Sequence, residues 1–336
     1  MYRYRLQELA TVLKKDDTDY LELRQALMDF KALVLELSEV DINSEEARKD
    51  IHFENGKALG MTWAALCIDE LMRTKMFVKG LFKAIEHAQQ QKARTLHVLY
   101  AGCGPFATLI LPIMATYSTQ EVQFTLLEIN KVSAENAKQV MGKLGFSNYI
   151  KAIHIVDATQ YALDTDVDIV LSETMQHGLV KEQQVPIVMN LMKQVTKETI
   201  LVPEKITVDL CLINCNTLLR RTEETPETAY CIRIGELFEL SAEKIATYAD
   251  AIEQKDKKIL FPKKTFILPK EQINSFPQLS MLTDIQVFGN EKLVLNQCSL
   301  TMPVRINDFS ETETHDRHIE IGYKIDEVPG FDYVIS

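Results

Sequence analysis

The chain is short of the basic residues that would hold a polyanion. Its 37 Lys and Arg stand against 48 Asp and Glu, a formal net charge of −11 over 336 residues. Nucleic acid is held mainly through phosphate contacts from Lys and Arg, so it is not an expected partner. The excess of carboxylates suits a cationic ligand, which a negative field draws inward; it also suits solubility alone. No apolar run reaches the 18 or so residues that span a membrane. No signal peptide is read at the start, where Met1 leads into the polar Tyr2-Arg3-Tyr4-Arg5-Leu6-Gln7. The six cysteines, Cys67, Cys103, Cys211, Cys215, Cys231 and Cys298, are scattered and make no pair of C-x-x-C motifs at zinc spacing. Scattered thiols fit a reducing compartment. The expectation is a cytoplasmic protein with no membrane partner and no metal site. Internal repeats and low-complexity segments are also missing.

What is present is an ordinary globular balance, 46% apolar and 25% charged, in a chain long enough for two domains. Residues 1–50 read as helical, with Leu21, Leu27, Phe30, Val34 and Leu37 near helical spacing. Residues 61–88 form a second strong helical stretch that carries Glu70, Arg73 and Lys75 among apolar neighbours. Strands at 97–101, 122–127, 151–156, 167–171 and 200–202 then alternate with helices at 106–117, 131–144 and 182–196. That alternation predicts a parallel sheet covered by helices on both faces. After Pro203 the pattern is almost all strand, a barrel or sandwich, interrupted by one helical stretch near 241–255. The expected architecture is α/β: an N-terminal helical segment (1–60), a Rossmann-like parallel-sheet domain (61–203) and a β-barrel-like domain (204–336).

The first strand ends in Ala101-Gly102-Cys103-Gly104-Pro105-Phe106 and leads into a helix. Gly102 and Gly104 let the backbone pass close beneath a ligand, and a helix N-terminus offers free N–H groups to a carboxylate or a ribose hydroxyl. A tight structural turn would carry the same two glycines. The second strand ends in Glu128, 26 residues after Gly102. An acidic residue there accepts hydrogen bonds from ribose hydroxyls. The third strand ends in Val156-Asp157-Ala158, where a carboxylate can take the exocyclic amine of adenine; a solvated loop aspartate reads the same way. The third glycine of G-x-G-x-x-G is missing, with Phe106 and Ala107 in that region, which counts against a dinucleotide dehydrogenase. Taken together, Gly102, Cys103, Gly104, Glu128, Asp157 and Ala158 resemble the cofactor site of the class I S-adenosylmethionine-dependent methyltransferases.

The fourth strand runs into Ser172-Glu173-Thr174-Met175-Gln176-His177-Gly178-Leu179-Val180-Lys181-Glu182, two glutamates nine residues apart. This loop resembles the double-glutamate loop of the protein arginine methyltransferase family, with Ser172-Glu173 opening it and Met175 in place. Leu201-Val202-Pro203-Glu204-Lys205 is similar to the family's Pro-Asp-Arg segment leading into its β-barrel. Arg73-Thr74 looks like the family's pair that binds the methionine carboxylate, and 241–255 like its dimerisation arm. The resemblance covers about 65–210, and 210–336 in outline. It implies S-adenosyl-L-methionine as cofactor, Glu173 and Glu182 as the guanidinium clamp, Arg73 as a cofactor ligand alongside Glu173, and a homodimer. Two departures stand out. Tyr100 replaces an aspartate two residues before the first glycine, and Thr314-His315-Asp316 lacks the tryptophan of the family's Thr-His-Trp loop. His315 is the catalytic candidate from that loop, with His177 a second candidate proton acceptor.

The expected function is N-methylation of a guanidinium in free arginine, another small metabolite or a protein arginine. Two alternatives remain: methylation of another small metabolite at oxygen, carbon or an amine, and a non-catalytic scaffold of the same fold.

Overall fold

The computed structural model describes residues 2–39, 41, 44–222, 224–248, 251–310 and 312–336. Helices α1 (Tyr2–Lys14) and α2 (Tyr20–Leu37) come first, the second opened by Asp19, whose carboxylate accepts from the N–H groups of Leu21 and Glu22. Strands β1 (Ile51–Phe53) and β2 (Gly56–Ala58) then form a hairpin turned by Glu54-Asn55. The short helix α3 (Met61–Leu66) and the long α4 (Leu71–Gln91) follow. The helix α4 buries Phe77, Val78, Leu81, Phe82 and Ile85, each at most 1% exposed, along one apolar stripe.

The central sheet contains β3 (Leu96–Ala101), β4 (Val122–Glu128), β5 (Ile150–Ile155), β6 (Ile169–Ser172) and β7 (Ile200–Val202). All are parallel, in the order β5-β4-β3-β6-β7. Crossovers run through α5 (Leu111–Thr116), α6 (Lys131–Leu144) and α7 (Gln184–Met192). Asn130 caps α6 by accepting from Ser133 N–H, and Gly145 closes it at φ 75°. The central strands β3 and β6 are buried throughout and β4 nearly so, as a helix-covered parallel sheet requires, while the edge strand β5 is half-buried. The order reverses between β3 and β6. In an open parallel sheet that reversal leaves a crevice beyond the carboxyl ends of the two strands, here after Ala101 and Ser172.

Beyond the cis Val202–Pro203 bond, two antiparallel sheets form the rest of the chain. The first has β8 (Lys205–Ile213), β9 (Cys231–Ser241), β13 (Gln278–Phe288), β14 (Glu291–Leu293) and β15 (Val304–Asp308). The second has β10 (Glu253–Lys255), β11 (Lys258–Leu260), β12 (Lys264–Leu268), β16 (Arg317–Ile325) and β17 (Gly330–Ile335). They meet over an aromatic cluster of Phe238, Tyr248, Phe261, Tyr323 and Phe331, with ring centroids 4.6–5.6 Å apart. Short helices α8 (Cys215–Arg220), α9 (Ala242–Tyr248) and α10 (Lys270–Ser275) interrupt the strands. The helical stretch expected near 241–255 is α9 followed by β10, with Ala249 and Asp250 outside the described residues.

The architecture is the expected α/β one, with N-terminal helices, a parallel sheet and a β-rich C-terminal part. Residues 1–60 are not helical throughout, because 51–58 form the β1–β2 hairpin, in which Gly56 follows the Glu54-Asn55 turn at φ 129°. The helices α1 and α2 flank the sheet and do not reach the crevice: Gln7 donates to Ala115 O at 2.9 Å, and Lys79 pairs with Asp16 at 2.6 Å. No helix among the described residues is long and apolar enough to cross a membrane.

Candidate active site

The crevice at the strand reversal opens into two adjoining chambers. The inner one is lined by Gly102, Cys103, Gly104, Glu128, Ala158 and Glu173 among others. The outer one is lined by Trp63, Glu70, Met175, His177, Glu182 and Ser299 among others. Lys57, Leu59, Cys67, Arg73 and Glu182 line both and form the wall between them.

The inner chamber is floored by the glycine loop. Gly102 has φ +74° and Gly104 φ +64°, both in the left-handed region. A Cβ on Gly102 would lie 2.2 Å from Thr174 Cγ2, so the loop and the β6 segment approach as closely as backbone allows. Glu128 accepts from Gly104 N–H at 2.8 Å and from Asn130 N–H at 2.9 Å. Burial pushes its pKa up, and these two bonds oppose the shift. Each carboxylate oxygen keeps a further lone pair toward the chamber. Val156 and Ala158 line the chamber, but Asp157 does not. Its Oδ1 accepts from the backbone and hydroxyl of Thr159, and it lines a separate cavity beside α7 and β10–β11.

The loop 172–184 is held from three sides. Gln184, 1% exposed, uses its whole amide on it: Oε1 accepts from Ser172 Oγ, Thr174 N and Thr174 Oγ1, and Nε2 donates to Ser172 O. The β-rich part grips the middle. Thr283 Oγ1 accepts from Gly178 N–H at 2.7 Å, Tyr323 donates to Leu179 O at 2.6 Å, and Pro329 O accepts from Lys181 N–H at 2.7 Å. Three positive φ values at Gly178, Leu179 and Lys181 bend the chain between these anchors. The β1–β2 hairpin covers the third side, with Lys57 N–H donating to Lys181 O and Gln183 Nε2 to Asn55 Oδ1. Gln184→Ala removes four bonds to a buried segment and should cost about 2–3 kcal/mol. Urea denaturation would read this as a lower midpoint at unchanged slope.

That fixed loop delivers two carboxylates to the wall. Arg73 Nη2 donates to Glu173 Oε1, and Arg73 Nη1 donates to Glu70 Oε2 at 2.7 Å. Glu70 in turn accepts from Ser299 N–H at 2.6 Å and from Ser299 Oγ at 2.9 Å, tying the wall to the β-rich part. Burial pushes Glu173 above the usual carboxylate range, with the Arg73 guanidinium pulling against it. Glu182 is 6% exposed, and its Oε1 has no hydrogen-bond partner among the described residues. Burial, and then the negative charge of Glu173, push it to about 7. Burial pushes the Cys67 thiol to about 12 and Cys103 well above its usual value, which disfavours their thiolates. Glu173 and Glu182 therefore stand as two raised carboxylates beside Arg73, and Lys57, also in the wall, is paired with Asp50.

Of the residues expected from the sequence, Arg73, Gly102, Cys103, Gly104, Glu128, Ala158, Glu173 and Glu182 come together at the two chambers. His177 joins them in the outer one. Asp157 lies outside, and His315 sits on an exposed loop before β16 and does not line the cleft. Tyr100 lines the inner chamber, with burial holding its hydroxyl protonated. Sequence reasoning missed Trp63, Gln184, Ser299 and the 51–58 hairpin, and assigned Glu70 no role. Glu70 stands three before Arg73 in an apolar stretch, the spacing of a helical ion pair. Asn55-Gly56 marked the hairpin. Ser299 had no local signal.

No family model matches the chain, and no curated protein matches it. Among solved structures it is similar to a Trypanosoma brucei PRMT1 enzyme–prozyme heterotetrameric complex with AdoHcy. The identity is 16%, the TM-score 0.46, and the match covers 76% of this chain and 86% of that one. A likeness of that size leaves the chemistry to be argued from the residues.

Proposed function

We propose that the chain is an S-adenosyl-L-methionine-dependent N-methyltransferase whose acceptor is a guanidinium. The observation that carries this reading is the convergence of Glu173 and Glu182 on the inner chamber, with Glu182 also reaching the outer one and its Oε1 unpartnered among the described residues. The inner chamber fits the cofactor: the Gly102 cradle admits no Cβ, Glu128 has lone pairs left for hydroxyls, and Arg73 has further N–H groups for a carboxylate. When bound there, S-adenosyl-L-methionine supplies a methyl group on a positive sulfonium.

Charge decides between acceptors. With Glu182 ionised, Glu70, Glu173, Glu182 and Arg73 leave two net negative charges, to which the Lys57–Asp50 pair adds none. One sulfonium and one guanidinium neutralise them. Two such cations about 4 Å apart in an effective dielectric near 20 repel by roughly 4 kcal/mol, which the two carboxylates offset. A carboxylate pair also matches the planar fork of a guanidinium, and so holds the attacking nitrogen toward the inner chamber. As the N–C bond forms, that nitrogen must lose a proton. Glu182 Oε1 accepts it, and a carboxyl that ionises near 7 is a better base than an ordinary glutamate. His177, whose Nδ1 lies 3.3 Å from Ser299 O, borders the same chamber and can pass the proton outward.

Incubation with labelled S-adenosyl-L-methionine and a set of small guanidines should give methylguanidino products from the wild type. Glu173→Gln should give less than about 1% of that rate, since it removes one of the two carboxylates that pair with Arg73 and half of the clamp. Methylation of amines or hydroxyls with none of guanidines would overturn the reading.

A further inference from the structure

The chain has a single tryptophan, and it is half exposed, at the outer chamber. Trp63 sits on α3, which packs against the short helical turns 46–48 and 67–69 and carries no other aromatic residue. An indole left 50% in water gives up burial of one of the largest apolar surfaces available to a protein. Around it, Leu59, Leu66, Met175 and Leu300 line the same chamber. Carboxylates and apolar side chains therefore line one space, with a half-exposed aromatic ring among them.

The cations in that space are already committed. Lys57 pairs with Asp50 at 2.5 Å; Arg73 is held by Glu70 and Glu173, and in the reading above its remaining N–H groups are taken by the carboxylate of the cofactor. An acceptor bearing its own carboxylate would meet Glu70, Asp50 and Glu182 without a free positive partner. A carboxylate desolvated without a partner is strongly disfavoured. The hairpin is tied to the loop 172–184 by the backbone bond from Lys57 N–H to Lys181 O and the side-chain bond from Gln183 Nε2 to Asn55 Oδ1, which favours a compact acceptor over an extended chain.

We propose that Trp63 binds the acceptor, and that the acceptor is a small guanidine on an apolar, carboxylate-free body rather than a free amino acid. This rests on the guanidinium reading above. Trp63 packs on the apolar body, and a cation approaching the clamp crosses the indole face, where a cation–π contact adds to the attraction. Free arginine is a poor substrate because its α-carboxylate is repelled.

Being alone, Trp63 reports its own occupancy. Intrinsic fluorescence of the full chain, saturated with S-adenosylhomocysteine, is titrated with n-butylguanidine, phenethylguanidine, free arginine and a blocked acetyl-Gly-Arg-Gly-amide. The two small guanidines should shift or quench the emission, phenethylguanidine at the lowest concentration, and free arginine should need at least tenfold more. In methyl transfer, Trp63→Ala should raise KM for phenethylguanidine about fivefold or more with kcat and cofactor affinity unchanged, and Trp63→Phe should recover most of it. A preference for free arginine, a preference for the blocked peptide, an unchanged emission or an unchanged KM in Trp63→Ala would each overturn the proposal. If the chain binds S-adenosylhomocysteine and the guanidines shift Trp63 but no methyl is transferred, the binding role stands and the catalytic reading fails. If S-adenosylhomocysteine does not bind, that reading fails by itself, and the fluorescence titration of the cofactor-free chain still decides the role of Trp63.

Discussion

Glu182→Gln should lower kcat/KM for a guanidine by about 10²–10³-fold and make the protein more stable at pH 8. The two effects have one cause. In the folded chain Glu182 is buried, Oε1 lacks a partner among the described residues, and its carboxyl ionises near 7 instead of the usual 4.5. Burial penalises the charge, and Glu173 adds to the penalty. Between pH 4.5 and 7 the folded protein thus keeps a proton that the unfolded chain releases. Stability contributed by that carboxyl is complete below about pH 4.5 and lost as pH rises toward 7. Ionising it in the fold rather than in the unfolded chain costs about 3 kcal/mol. A neutral glutamine avoids this cost, so thermal melts should separate variant from wild type at pH 8 and bring them together near pH 4.5. A bound guanidinium reverses the balance, because it supplies the positive charge the carboxylate lacks, and truncating such a buried pair costs about 2–5 kcal/mol. Wild-type kcat/KM should therefore climb with pH and level off above about 7, since it reports the free enzyme; kcat should depend on pH less. A Glu182→Gln protein with full activity, or one less stable than wild type at pH 8, would sink the assignment. The penalty is an instance of stability given up at a working site.

The parallel sheet was legible because its strands are continuous apolar runs and its helices carry caps. Asn130 and Gly145 fix α6 at 131–144, the range periodicity predicts. The stretch 106–117 reads as helix throughout yet is helical only from Leu111. The turn before it, with Ala107 at φ 49°, belongs to the cradle, where tertiary approach overrides local preference. The glutamate pair could be read from its spacing, but the wall could not. Glu70 reaches Ser299 across 229 positions, and the anchors Thr283, Tyr323 and Pro329 lie a hundred or more residues from the loop they hold. Such contacts leave no periodic trace. Asp157 shows the opposite failure. Its position at a strand end suited adenine, but Thr159 two residues on offers a local partner, and short side chains take such partners readily.

Gly102→Ala should reduce affinity for S-adenosylhomocysteine by at least about 100-fold, whereas Gly104→Ala should cost far less. Both glycines have left-handed φ, so each alanine carries a strain of roughly 1–2 kcal/mol. Space separates them. A Cβ at 104 meets only Ala64 Cβ at 3.6 Å, an ordinary contact, while one at 102 would stand 2.2 Å from Thr174 Cγ2. Thr174 cannot step aside cheaply, because its N–H and hydroxyl both donate to Gln184 Oε1, at 2.9 and 2.8 Å. Turning the threonine to clear the new methyl breaks the hydroxyl bond; moving its backbone breaks the other and displaces the neighbouring Glu173 from Arg73. The clash thus reaches the cofactor cradle and the acceptor clamp together. Thr174→Ser removes Cγ2 and keeps the hydroxyl, so the double variant Gly102→Ala/Thr174→Ser should recover at least tenfold of the lost affinity by calorimetry, a coupling that independent sites would not show. Equal losses at 102 and 104, with no recovery from the serine, would mean that backbone strain alone sets the cost and that the close approach of the two strand ends does not shape the cofactor site.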